Sequence, residues 1–379
     1  MQHLYFVDGL SKTGISDLLN VSKGFVMRWT QAEAPAVEQD DRGWPKGQGR
    51  VWGRETWERV ASIHHGLSTH SRCFYTGASA IQLHYRRRYP DSAVPPLRTI
   101  GWMLKALGLS QPHRPKAKGA ARYLCYPEHT VYTTLGRRVL EADFIGKKYL
   151  RGRSAPVNFI GFSFKHPPKL RYFQRVEAQN PDAIRQASAT FFKTFEYPDV
   201  MKVANCQATI GTGSGKRCLS RFIVFLLQRK IIPVFAVPRK PFSQASIEGN
   251  NSVFSRKFWR RCEFTSLRQL DTRLGWFNQS SLEYTGYDPS THKRRASKKD
   301  FVPRVYFIRQ VREDAKGRGY IDVVNEPIPI RKSYINYFVL AEWTLVDEKL
   351  NVLFEKDKQT KTIQSIDFKI NPNSKYRLN

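Results

Sequence analysis

Apolar residues recur at helical spacing in the first thirty positions. Ile15, Leu18 and Leu19 fall on one face, Asn20-Val21-Ser22 interrupts, and Phe25, Val26 and Trp29 resume the stripe. Ser22 stands where it can cap the second segment, so the pattern predicts a helix-turn-helix over 1–32. Its outward side carries Ser22, Lys23, Arg28 and Gln31, side chains suited to phosphates and base edges. A plain helical hairpin is the bland alternative. Residues 33–55 are rich in Pro, Gly and charge and read as a linker. A second helical block covers 56–110. At its end Ile100, Met103, Leu104 and Leu107 share a face, Gly108 supplies a C-cap, and Arg98, Thr99 and Lys105 point away.

The period then changes. VLEADFIG (139–146), VNFIGFSF (157–164) and LRYFQRVEA (170–178) read as consecutive strands. A helix follows at 181–195, then a strand ending DVMKVA, a helical stretch near 215–229, a strand IIPVFAV (231–237) and a helix over about 246–261. The expected order is β-β-β-α-β-α-β-α across a core at 135–265. Residues 111–134 and 266–302 read as basic connectors, the first carrying Arg114, Lys116 and Lys118 and the second Lys293, Arg294 and Arg295. Four strand-like runs after 303 suggest a small β-barrel over 303–379.

Charge narrows the partner. The chain has 63 Lys+Arg against 32 Asp+Glu, a formal +31, which points to a polyanion. No apolar run approaches the ~18 residues of a membrane span and no signal-peptide pattern opens the sequence. A cytoplasmic protein on nucleoid DNA is therefore expected, with no membrane partner. Five cysteines at irregular spacing imply no disulfide framework. His70-x-x-Cys73 and Cys125-x-x-x-His129 match no zinc spacing closely. GTGSGKR departs from the phosphate-binding loop pattern at both Ile210 and Arg217.

Two acids stand out. Asp143 lies mid-strand in VLEADFIG, and Glu248 sits in VPRKPFSQASIEGNNSVFSRKFW. The second segment resembles the closing "p..P…n..iE..n..f.r" motif of the retroviral integrase and DDE transposase catalytic core. The stretch 98–109 resembles the second helix-turn-helix of bacterial transposases. The resemblance covers about 137–262. It implies a multidomain protein: helix-turn-helix modules, an α/β RNase H-like core and a C-terminal barrel. It also implies metal-dependent joining of 3′ ends of an element to target DNA, by a homo-multimer on double-stranded DNA. An accessory ATPase or target-selection protein assists some relatives.

Such chemistry uses two Mg²⁺ or Mn²⁺ ions held by carboxylates. The resemblance assigns Asp143 and Glu248 as catalytic metal ligands and expects a further aspartate where this chain has Ala204. A methyl group holds no cation, so the ions should bind poorly and the enzyme should be disabled, by introduction or by natural decay. Glu141, on the same strand face as Asp143, and Asn205 are the two candidates to stand in for it. On the last core helix Asn251, Arg256 and Lys257 are candidate DNA contacts. The rival reading is a non-catalytic DNA-binding regulator or scaffold; a structure-specific nuclease is a third.

Overall fold

The computed structural model describes residues 1–30, 52–70, 72–110, 126–211, 215–291 and 301–376. Gln31, Arg114, Lys116, Lys118, Lys293, Arg294 and Arg295 lie outside the described residues. So do most of the 33–55 linker and the basic stretch 111–125. The chain divides into two compact units, Met1–Trp57 and Glu58–Asn379.

The first unit holds α1 (Gln2–Phe6), α2 (Lys12–Leu19) and α3 (Lys23–Trp29). Ser11 Oγ caps α2 through the Gly14 amide at 3.0 Å, and Ser22 Oγ caps α3 through the Phe25 amide at 3.3 Å. Asn20 closes α2 in the left-handed region, a conformation its short polar side chain tolerates. Only Ile15 and Val26 of the expected apolar stripe are fully buried; Leu18, Leu19, Phe25 and Trp29 are exposed. Helices of eight and seven residues make only about two turns each and so have little face to bury.

In the second unit α4 (Arg54–Thr69, which belongs to this unit from Glu58 on), α5 (Ala78–Arg88) and α6 (Leu97–Ala106) precede the sheet. Ile100, Met103 and Leu104 are buried, whereas Leu107 is 39% exposed. Gly108 takes φ +67°, and the following Leu109 amide donates back to the Leu104 carbonyl at 2.8 Å. That is the closure expected of a glycine cap.

The strands are β1 (Val139–Lys148), β2 (Val157–Phe164), β3 (Leu170–Val176), β4 (Val200–Val203), β5 (Ile232–Phe235), β6 (Arg304–Gln310), β7 (Arg312–Glu313), β8 (Gly319–Val323), β9 (Glu326–Ile330), β10 (Phe338–Thr344), β11 (Lys349–Lys356) and β12 (Gln359–Asp367). The intervening helices are α7 (Pro181–Thr194), α8 (Gln207–Ile210), α9 (Arg221–Leu227), α10 (Ala245–Phe254) and α11 (Leu267–Thr285). The element order predicted for the core is thus present. Nine strands form one mixed sheet, β12-β11-β10-β6-β5-β4-β1-β2-β3. β1, β2 and β3 run antiparallel, while β1, β4, β5 and β6 are mutually parallel.

Alternation along the strands gives each face its content. Leu140, Ala142, Met201, Val203 and Phe235 pack with Ile184 and Phe191 of α7 and Phe222 and Leu226 of α9. The opposite face carries Glu141, Asp143 and Lys202 and is covered by α10 and α11. There Phe159 and Phe173 meet Phe254, with ring centroids 5.0 and 4.8 Å apart, and Phe173 meets Phe277 at 5.7 Å.

Two expectations are corrected. The terminal strands do not make a separate barrel among the described residues. β6 pairs with β5 through Val234–Tyr306 and Phe235–Phe307, so the core sheet continues into β10, β11 and β12. An alternating strand looks the same in sequence whether it closes a barrel or extends an edge. The expected connector 266–302 contains the nineteen-residue α11. Ser266 caps it and Gly286 ends it at φ +68°. Its buried residues Leu270, Leu274, Phe277, Asn278 and Ser281 follow helical spacing, but the intervening polar residues mask the stripe.

Candidate functional site

The middle of β1 and the end of β4 meet the start of α10. Ala142 pairs with Val203, the last residue of β4, in parallel register, and Asp143 and Ala204 are the next residues along the two segments. On the other side Asp143 is opposite Gly161 of β2. A Cβ on Gly161 would stand 3.0 Å from Ile247 Cδ1 and 3.1 Å from Asn251 Oδ1. The missing side chain is therefore what lets α10 lie close against β2. That approach sets the first turn of α10, with Glu248, against the face of β1 that carries Glu141 and Asp143.

Hydrogen bonds fix the same helix. Glu141 Oε2 accepts from the Ile247 amide at 2.9 Å. Ser163 Oγ lies 2.9 Å from Ser246 Oγ and accepts from Asn250 Nδ2 at 2.6 Å. Arg171 Nε donates to Asn250 Oδ1 at 2.6 Å. Beneath them Lys202 and Glu141 are wholly buried, with Lys202 Nζ 4.0 Å from Glu141 Oε1. Tyr132 bridges them: its hydroxyl donates to Glu141 Oε1 and accepts from Lys202 Nζ at 2.8 Å. Lys202 also donates to Tyr126 and to the Ser243 carbonyl, just before α10. Burial drives the Lys202 ammonium down to about 8, against the pull of Glu141.

Electrostatics mark the acid pair. Burial, followed by the Glu248 charge, pushes the Asp143 carboxyl up to about 7. Glu248 is also raised, by burial and by Glu141. Two carboxyls that feel each other's charge resist double ionisation, and a nearby cation would relieve it. Glu248 lies in the first turn of α10, where the helix dipole favours its negative form.

The residues present do not complete a two-ion site. Among the described residues no group of three His, Cys, Asp or Glu side chains is arranged to hold a metal ion. Ala204 offers only its methyl group. Both proposed substitutes already make hydrogen bonds elsewhere. Glu141 is committed to Tyr132 and Ile247. Asn205 donates to the Ala236 carbonyl and accepts from Arg309 Nη2 at 2.9 Å. Arg309 is itself buried and donates to the carbonyls of Asp322 at 2.6 Å and Ile308 at 2.9 Å. Desolvation lowers its guanidinium to about 9.

The expected DNA contacts are scattered. Lys23 and Arg28 are exposed on α3, while the Ser22 hydroxyl is occupied as the α3 cap. Arg98 and Lys105 are exposed on α6 and Thr99 is half-buried. Arg256 is exposed, whereas Lys257 is partly buried, 5.4 Å from the Tyr75 ring, and burial lowers its ammonium. Asn251 is partly buried, and its Oδ1 lies against Gly161 of the sheet without a hydrogen-bond partner. Sequence reasoning missed Gly161, Lys202, Tyr132 and Arg309. A glycine inside an apolar strand, and a lysine inside VMKV, were the available signals.

The sequence matches no protein-family profile and no curated protein. Among solved structures, the chain is similar to the catalytic core domain of BIV integrase. The identity is 9% and the TM-score 0.28, over 39% of this chain and 82% of that one. It is also similar to a chain of a simian T-cell lymphotropic virus intasome in complex with the PP2A regulatory subunit B56 gamma. There the values are 12% identity and TM-score 0.33, over 73% and 97% of the two chains. No helix among the described residues is long and apolar enough to cross a membrane.

Proposed function

We propose that this chain is a DNA-binding protein with an RNase H-like core of the integrase and transposase type, without strand-transfer activity as its sequence stands. The observation that carries the reading is the Glu248 charge acting on the half-buried Asp143, next to the β1–β4 pairing that leads into Ala204, with Glu141 and Asn205 both hydrogen-bonded elsewhere. In an intact site three carboxylates would hold two Mg²⁺ or Mn²⁺ ions, which would activate a nucleophile and stabilise the leaving oxygen. Here two of the three acids remain, and no step is assigned to them. The formal +31 supports a polyanionic partner. A homo-multimer on paired DNA ends follows from the same reading.

The retained acid pair supports a second reading, an enzyme by class that a single substitution disables. Both are tested by comparing the chain with Ala204→Asp. Duplex DNA binding is measured across a salt series, and nicking and joining of plasmid DNA is measured with Mn²⁺. The expected result is salt-sensitive binding by both proteins and metal-dependent cleavage or joining by the variant alone. Strand transfer by the unaltered chain would overturn the non-catalytic reading. Failure of both to bind duplex would remove DNA as the partner.

A further inference from the structure

Away from the acid pair, three hollows lie in series along α5 and α11. The central one, about 240 Å³, is lined by Arg72, His84, Trp276, Gln279, Glu283 and Tyr284 among others. It shares Leu67 and His84 with a cleft of about 330 Å³ that carries Arg87 and Arg88. It shares Trp276 with another of about 390 Å³ that carries Arg268 and Arg273. The series thus has arginines at both ends and an aromatic middle. Tyr284 stacks on Tyr75 with ring centroids 4.4 Å apart and planes 11° apart, and Arg72 lies over Trp276 at 4.8 Å. The acid in the central hollow, Glu283, is 3.6 Å from Arg87.

We propose that the central hollow receives an unpaired nucleobase, and that the phosphates on either side of that nucleotide are held in the two arginine clefts. Phosphates alone need no aromatic platform, and a paired base keeps its face stacked inside the duplex. An extruded or single-stranded base offers both a π face and a free edge. Gln279 can donate and accept at that edge, Glu283 can accept, and the rings of Trp276 and Tyr284 supply stacking surface. None of these residues belongs to the acid pair or to the helix-turn-helix. The proposal rests on the nucleic-acid part of the proposed function and adds a structural preference to it.

The test is fluorescence anisotropy with two labelled duplexes of one sequence, one fully paired and one carrying a single-nucleotide bulge, at fixed salt. The bulged duplex is expected to bind about tenfold more tightly, the scale of one base–aromatic stack. Tyr284→Ala and Gln279→Leu should erase that preference and leave affinity for the paired duplex unchanged, with circular dichroism confirming the fold. Equal affinity for the two duplexes overturns this proposal and leaves DNA binding intact. A preference that survives both substitutions also overturns it. Binding to neither duplex removes both this proposal and the proposed function.

Discussion

The Glu141 carboxylate accepts the backbone amide of Ile247 at 2.9 Å, two residues before Asp143 on β1 and one residue before Glu248 on α10. One buried acid therefore ties the strand that carries Asp143 to the helix turn that carries Glu248. Glu141→Ala would free the start of α10 and leave the Lys202 ammonium buried without its counter-charge. Removing one partner of a buried pair costs about 3–5 kcal/mol. Urea denaturation should show a loss of that size, and Glu141→Gln, which can still accept the Ile247 amide, should recover part of it.

Asp143 should make stability depend on pH in a predictable direction. Its carboxyl rises from 3.8 to about 7 on folding, so the folded state holds the proton more tightly. Stability from this group is full below the unfolded value and is lost as pH rises through about 7. Asp143→Asn removes the penalty. The variant should melt above the parent at pH 8, and the gap should shrink steadily toward pH 4. Lys202 titrates near 8 when folded and 10.5 when unfolded. Its own contribution rises with pH between those values and leaves the acidic window undisturbed. A pH-independent gap in thermal melts would reject the assignment.

How much of this was legible depends on what each element shows in one dimension. Strands β1 to β5 and helix α7 were readable because buried runs and a regular apolar stripe do not depend on who the neighbour is. Asp143 and Glu248 stood out through motif and strand position. The role of Glu141 was not readable, since a glutamate on the Asp143 face looks like a spare ligand until the Ile247 amide is seen to occupy it. Arg309 was hidden for the same reason: its contact with Asn205 spans 104 residues of chain. The run of strands after 303 was visible, but which edge they join is a matter of pairing, which alternation does not encode.

Restoring the missing acid should expose the cation dependence of the site. Ala204→Asp places a third carboxylate beside Asp143, so without divalent cations the melting temperature should fall below that of the parent. With excess Mn²⁺ it should rise above it, since an ion bound only by the folded state stabilises by about 2.7 kcal/mol at a hundred times its dissociation constant. The parent should shift far less. Scanning calorimetry with and without Mn²⁺ checks this without any DNA substrate. Equal Mn²⁺ shifts in the two proteins would mean that position 204 does not face the acid pair.

Gly161 gives the most local test of why the pair converges. A methyl group there would meet Ile247 Cδ1, Asn251 Oδ1 and Phe173 Cε1 at 3.0–3.1 Å. Ile247 sits in the first turn of α10 and Phe173 in the hydrogen-bonded centre of β3, and the ends of their side chains would have to give by a few tenths of an ångström. Overpacking of this kind costs about 1–3 kcal/mol. Gly161→Ala should lower stability by that amount and shift α10 outward, carrying Glu248 away from Asp143. Because the Glu248 charge helps hold the Asp143 carboxyl up, its titration should move toward the ordinary range. Carboxyl ¹³C chemical shifts followed across pH would read that movement directly. An unchanged Asp143 titration in a destabilised variant would show that Glu248 is positioned independently of the glycine.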